Sequence, residues 1–511
     1  MKDNAKDSEA LRDRLPRPVL AEAPAYLELY DLAWELARDH IRTIPGMPQS
    51  PYMDEAFCDT QIWIWDTCFM SLFCKYAQGA FPGVLSLRNF YDVLHGDGHL
   101  PAVIPGEGEP AWTRATPGVP YEIKIHIADN PPLFAFAEYE NALLSGDLDH
   151  IRDLLYRRCA LEKHYDWLEG LHAPTKPDGV FLPTALVAED IGYRWEGRCS
   201  GMDNTPRGRR GARTEQHRPA PPEMLWVDAI CQQALSARCI ARLFALVGDG
   251  EESARWEARY AEKAATVNRY YWDGEDGFYY DINGGTHDFY KIVTPASYWA
   301  LVAGIASPEQ AAAMLEKLLD PDVLGGDVPV LSLSRSDGNY ERDGRYWRGS
   351  LWLPTAYAAL FGIAAYGYHK EARALSRRIL DHMSATYRNC EPHTIWECYA
   401  PEAPRPGINA TGDATVRPDF CGWSALGPIS LLVEHVLGFH RVDAFRRTVE
   451  WSFPHEFSGE VGIRGLHFGD VVTDIVAKDG TVTVTTNAAY TLVIDGTPVA
   501  IPVGETLLTV E

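Results

Sequence analysis

No stretch of the 511 residues reaches the ~18 consecutive apolar side chains that a membrane-crossing helix needs. The amino-terminal MKDNAKDSEALRDRLPRP also lacks the apolar core of a secretory signal. A cytoplasmic protein with no membrane partner is therefore expected. None of the ten cysteines forms a Cys-x-x-Cys pair, and most sit in apolar runs such as DTCFMSLFC (66–74) and DAICQQALSARCI (228–240). That pattern predicts buried thiols, not disulfides or zinc ligands. Basic charge is scarce: 47 Lys and Arg face 71 Asp and Glu, for a net charge of −24. Outside Arg207–Arg218 the cations are scattered, so nucleic acid is excluded as a partner and a neutral substrate fits better. Also missing are H-E-x-x-H, G-x-S-x-G, a Walker-type G-x-x-x-x-G-K, and a G-x-G-x-x-G after a strand. No organic cofactor is called for. Asp273, Asp276 and Asp281 read as an acidic turn, with a calcium site as the alternative.

What is present is an ordinary globular composition, 46% hydrophobic and 23% charged, enriched in Trp (15) and Tyr (25). Flat aromatic faces complement the C–H faces of sugar rings, but they pack equally well into any large core. Tyr26, Tyr30, Trp34, Ala37 and Ile41 fall on one helical face. The same periodicity predicts helices near 62–77, 84–94, 131–145, 147–170, 223–247, 250–272, 295–303, 308–319, 350–366, 368–388 and 424–440. Thr294-Pro295, Asn130-Pro131 and Ser307-Pro308-Glu309-Gln310 are start signals, the last a capping box.

The helices come in pairs across short links, and 223–247 is apolar nearly all round while 250–272 is amphipathic. The expected architecture is mainly α, an (α/α)6 barrel of inner and outer helices. Past about 455 the texture turns to period-two segments, VTDIVA, TVTVTT, YTLVID and TLLTV, with Asp479-Gly480 and Asp495-Gly496 as hairpin turns. These predict a small C-terminal antiparallel β appendage. The division expected is an N-terminal extension (1–19), a barrel (20–450) and a β domain (451–511).

Two long irregular stretches, roughly 173–222 and 389–422, interrupt the helices, and loops of that length in a compact domain commonly carry function. The first holds Asp203 in SGMDNTPR (200–207), and the second holds Glu397 in TIWECY (394–399). A pair of carboxylates suits glycosidic bond cleavage, in which one protonates the leaving oxygen and the other acts as nucleophile or activates water. The bland readings are a turn aspartate bonding its own backbone and a partly buried salt bridge. The basic, proline-rich 206–222 reads as a solvated loop or as a lid that recognises an anionic group.

The segments WIWDTCF (63–69), GDGHLPAVI (96–104), GMDNTPR (201–207), WDGEDGFYYDI (272–282), YWRGSLWLPTAY (346–357), WECYAP (396–401) and FCGWSALGP (420–428) occur in an order that resembles the trehalase and processing α-glucosidase superfamily. The single-barrel layout is similar to the mannosylglycerate and glucosylglycerate hydrolase branch of glycoside hydrolase family 63. The resemblance runs from about 20 to 440. It implies an (α/α)6 barrel and an inverting reaction with Asp203 as general acid and Glu397 as general base. It implies a sugar pocket that includes Trp63, Trp65, Asp66, Arg207, Tyr346, Trp347, Arg348, Gly349, Trp396 and Trp423. Residue type alone leaves core tryptophans, a helix-capping Asp66 and structural ion pairs for the arginines as alternatives. ADN (128–130) and WECYAP depart from the family's usual glutamine and ENYNP-like stretches. The expected function is an inverting, exo-acting α-glycosidase that hydrolyses a short α-glucoside, α-mannoside or glycosylglycerate. An epimerase or phosphorylase on the same toroid, or a non-catalytic carbohydrate-binding protein, stays open, as does a homo-oligomer.

Overall fold

The computed structural model describes residues 14–43, 51–55, 61–77, 79–94, 96, 98, 100, 103–105, 131–170, 186–195, 200–207, 221 and 223–510. ADN (128–130), most of the basic stretch 206–222, and Cys58 and Cys199 lie outside these residues.

Helices alternate between two kinds. One kind is buried on nearly every side. It comprises α2 (Ile64–Cys74), α4 (Phe134–Ser145), α7 (Val227–Leu246), α9 (Trp299–Val302), α11 (Leu353–Ala365) and α13 (Gly427–Val436, wound in π geometry). Every residue of α2, IWDTCFMSLFC, is buried, as is every residue of α13. The other kind is amphipathic: α1 (Pro24–Asp39), α3 (Gly83–Asp92), α5 (Leu148–Arg152) with α6 (Ala160–Glu169), α8 (Gly250–Tyr270), α10 (Pro308–Leu319) and α12 (His369–Asn389). In α8 only Trp256 and Val267 are buried, because a helix with one apolar stripe can cover the core but cannot sit inside it. The buried helices touch in the sequence α2, α4, α7, α9, α11, α13 and back to α2, so they close on themselves.

Several boundaries follow local chemistry. Ser307 and Gln310 make the reciprocal capping box that starts α10. Asp249 caps α8 by accepting from the Glu252 amide. The helix expected at 131 starts instead at Phe134, since Pro132 disfavours a helical Pro131. The single helix expected over 147–170 is broken at Cys159, whose φ of 48° is left-handed after a π turn.

The C-terminal strands form two sheets. One has the order β1 (Arg17–Leu20), β4 (Val461–Phe468), β5 (Val471–Lys478), β6 (Thr481–Thr486) and β9 (Gly504–Thr509). The other has the order β2 (Arg441–Asp443), β3 (Thr448–Trp451), β7 (Tyr490–Ile494) and β8 (Thr497–Ile501). Asp479-Gly480 and Asp495-Gly496 have positive φ at both positions, as two-residue hairpin turns require. Three details differ from expectation. Residues 17–20, placed in an N-terminal extension, pair antiparallel with β4 and form an edge of its sheet. The division expected at 450 cuts through β3, which pairs with β7. That β3–β7 pair is parallel, so the region is not wholly antiparallel. The sheets dock against the C-terminal ends of the buried helices, where Ala444 and Gly469 amides donate to the Leu143 and Leu144 carbonyls.

Candidate active site

The opposite, N-terminal ends of the buried helices carry the polar chemistry. Asp66 lies in the first turn of α2, Asp228 in the first turn of α7, Trp352 caps α11, and Trp423 precedes the 3-10 turn that leads into α13. Helix N-termini present unpaired N–H groups and positive partial charge, a favourable setting for carboxylates.

Glu397 is buried, at 3% exposure, yet its side chain is surrounded by donors. The Tyr346 hydroxyl donates to Oε1 at 2.8 Å, the Arg417 amide to Oε2 at 3.3 Å, and the Arg417 guanidinium to Oε1 at 3.4 Å. Its backbone is fixed as well. The Glu397 amide donates to the Arg417 carbonyl at 3.0 Å, and its own carbonyl accepts from Trp423 Nε1 at 3.0 Å and Ser424 Oγ at 3.2 Å. Arg417, 41% exposed, is the residue that the sequence reading missed; its only signal was position in the loop 389–422.

Asp203 is partly exposed on a loop pressed onto α2. Gly201, at φ 79°, packs so closely that an added Cβ would come within 2.3 Å of the Trp65 ring. Asn204 clamps the same loop to the YWRG segment: its Nδ2 donates to the Arg345 carbonyl at 3.0 Å and its Oδ1 accepts from the Trp347 amide at 2.8 Å. That clamp supports an unusual backbone, since Gly344, Arg345 and Tyr346 all have positive φ (84°, 25° and 65°). Consecutive left-handed residues of this kind persist only where their surroundings hold them, and they concentrate at functional sites. Here the strained turn delivers the Tyr346 hydroxyl to Glu397.

Asp66 lies within electrostatic range of both loops. Burial pushes its carboxyl up to about 8, and the negative charges of Glu397 and Asp203 push the same way, while Arg417 opposes them. Three carboxylates thus share one small region, and Asp66 holds a proton at neutral pH. Burial likewise raises the Tyr346 hydroxyl, with Glu397 and Asp203 adding to the effect, so it remains a donor.

A carboxyl whose folded-state pKa exceeds its ordinary value of 3.8 adds stability that is fully present below 3.8 and lost as pH rises through about 8. The melting temperature of wild type minus that of Asp66→Asn should therefore fall steadily between those values in calorimetry, and parallel curves would refute it.

Aromatic rings wall this region. Trp65 meets Trp347 at 6.5 Å and Trp423 at 5.7 Å, Trp347 stacks on Trp352 at 4.0 Å, and Tyr346 meets Trp352 edge-on at 4.7 Å. Trp396 and Arg348 are buried nearby in sequence. Trp63 ends the strand that leads into α2. Gly349, at φ 136°, abuts Tyr340, and its amide donates to Ser332 Oγ at 3.1 Å. Arg207 is the departure from the expected pocket. Its guanidinium donates to both oxygens of Asp228 (2.7 and 2.8 Å) and both of Asp281 (2.8 and 2.6 Å). It also stacks on Trp226 at 4.3 Å. The predicted Asp273/Asp276/Asp281 cluster divides accordingly. Asp281 belongs to Arg207, whereas Asp273 and Asp276 share Lys291 at 2.6 and 2.8 Å.

A family model described as "Mannosylglycerate hydrolase MGH1-like glycoside hydrolase domain" matches residues 61–407. A mannosylglycerate hydrolase of Rubrobacter radiotolerans is 23% identical over 404 residues, covering 66% of this chain and 85% of that protein. A cytosolic neutral trehalase of Neurospora crassa is 33% identical over 132 residues, but the match spans only 25% of this chain and 18% of the trehalase. Among solved structures, a GH63 mannosylglycerate hydrolase from Thermus thermophilus in complex with glucose superposes with a TM-score of 0.57 at 18% identity, covering 79% of this chain and 99% of that one. A chain described as "Sialidase" gives 0.68 at 13% identity, covering 99% of this chain but 41% of its own length.

Proposed function

Because the chain belongs to the mannosylglycerate hydrolase MGH1-like glycoside hydrolase family, within the trehalase-like and family 63 superfamily, we propose that it is an inverting, exo-acting α-glycosidase. Its substrate in this reading is a short α-glucoside, α-mannoside or glycosylglycerate. Asp203 protonates the glycosidic oxygen as the C–O bond breaks. Glu397 accepts a proton from water, whose oxygen bonds to the anomeric carbon from the opposite face.

The observation that carries the reading is that Asn204, next to Asp203, is bonded to Arg345 and Trp347, while Tyr346 between them donates to Glu397, so that carboxylates from two distant loops are held to one turn beside one aromatic wall. The division of roles fits their surroundings. Glu397 accepts from Tyr346 and Arg417, which fix its orientation toward a water, and Arg417 adds positive charge beside it. Asp66, protonated at neutral pH, can donate to a sugar hydroxyl. The indoles of Trp65, Trp347 and Trp423 offer faces for a ring.

The closed ring of buried helices inside amphipathic ones supports the (α/α)6 barrel. Among the described residues no helix is long and apolar enough to cross a membrane, and the eight described cysteines are all free, as a reducing cytosol favours. Paired histidines beside the carboxylates would favour an epimerase, but the clustered imidazoles of His369, His435 and His440 lie near the other ends of the buried helices.

The test is proton NMR of the sugar first released from a panel of α-linked disaccharides and glycosylglycerates. The β-anomer is expected. Release of the α-anomer, or no hydrolysis of any α-linked substrate, would reject the reading.

A further inference from the structure

At the C-terminal ends of the buried helices, away from the carboxylates, a cavity of about 870 Å³ opens between the helices and the Arg441–Glu450 hairpin. That is within the size range of small-molecule sites, roughly 300–1,000 Å³. Its lining carries Arg446 beside Asp443 and three further arginines, Arg238, Arg242 and Arg441, together with the carboxylates of Glu140, Glu434 and Glu450.

Helix C-termini attract cations, which accounts for Arg238: its Nη1 donates to the Ala303 carbonyl at 2.7 Å, just beyond α9. It does not account for the other two. Arg242 and Arg441 lie 5.3 and 5.8 Å from the Tyr139 ring, and Arg441 donates to the Tyr139 hydroxyl at 3.0 Å. Neither makes an ion pair with a carboxylate among the described residues. Three of the four acidic groups of the lining have other partners. Lys75 lies 3.3 Å from Glu140 and 3.1 Å from Glu434, and Asp443 accepts from the Arg446 amide at 3.0 Å.

Three imidazoles complete the lining. His369 and His440 meet edge-on at 4.0 Å, and His435, 4% exposed, has an Nε2 with no hydrogen-bond partner. Burial first, and then the neighbouring histidines and arginines, hold His435 and His440 down to about 3, so both are neutral and each carries one N–H. Arg242, Arg441 and one unused buried polar atom, His435 Nε2, thus face the same space.

We propose that this cavity is a second binding site, independent of the hydrolase reading, for a small phosphorylated ligand. Planar guanidinium forks match phosphate oxygens two at a time. A dianion would use the Arg242 and Arg441 donors and the His435 ring together, and the cavity has room for the sugar of a hexose phosphate.

The experiment is differential scanning fluorimetry of the full chain with inorganic phosphate, glucose 6-phosphate, or sodium chloride at equal ionic strength. Saturable stabilisation by either phosphate is expected, at least about tenfold weaker in Arg242→Gln/Arg441→Gln, whose hydrolysis without phosphate should match wild type. A larger response to glucose 6-phosphate would identify a sugar phosphate, and equal responses would identify the phosphoryl group alone. If the variant fails to fold, phenylglyoxal labelling of wild type decides: phosphate should protect Arg242 and Arg441. No shift beyond the chloride control, the same shift in a folded variant, or undiminished labelling would overturn the proposal.

Discussion

Replacing Glu397 with glutamine should lower kcat by about 10³- to 10⁴-fold, the scale of a lost general base, without changing the fold. The amide keeps the backbone bonds to Arg417, Trp423 and Ser424 and can still accept from Tyr346. It cannot take a proton from water. Asp203→Asn should be equally slow on a glycoside whose leaving oxygen needs protonation. The two variants separate on a substrate that leaves without help. With an α-glycosyl fluoride, Asp203→Asn should regain most of its rate, because fluoride departure needs no acid, while Glu397→Gln should stay slow, because water still needs a base. Steady-state kinetics on both substrates read this directly. If both variants recovered on the fluoride, or neither did, the assignment of acid to Asp203 and base to Glu397 would fail.

The parts of this architecture that were legible in the sequence are those set by short-range patterns. The contrast between α7 and α8, the capping box at Ser307, the Asp-Gly hairpins and the two long loops all depend on residues within one or two turns of each other. Asp203 and Glu397 were legible as carboxylates in unusual loops, and the family resemblance gave them roles. The shared environment was not, because the charge on Asp66 depends on residues more than a hundred positions away and on exclusion of water. Arg417 was missed because an arginine in a polar loop looks solvated; only its contact with Glu397 distinguishes it. Residues 17–20 join a strand more than four hundred residues later, and no local signal records that pairing. The break at Cys159 was invisible for a different reason, since no glycine or asparagine marks its left-handed conformation.

Arg207 sits in a buried ion-pair triad with Asp228 and Asp281, and Arg207→Met should cost about 3–5 kcal/mol of unfolding free energy, the penalty for leaving buried charge unpaired. Burial works against the guanidinium's charge, and the Asp228 and Asp281 carboxylates more than offset that, so the three groups stand or fall together. All three are almost fully buried, at 2% exposure each. Methionine fills much of the same space and leaves two carboxylates facing each other with no cation between them. Lysine should recover little, since a single ammonium cannot bridge four carboxylate oxygens as the fork does. The triad also joins the start of α7 and the strand Asp281–Asn283 to the loop that carries Asp203, so activity should fall with stability and return under conditions that restore the fold. Urea unfolding monitored by circular dichroism, with KM measured in parallel, separates the two roles for this arginine. A stability change below about 1 kcal/mol together with a large rise in KM would return Arg207 to the sugar pocket, whereas the expected loss of stability with KM little changed fixes it as the brace that holds the Asp203 loop against the barrel.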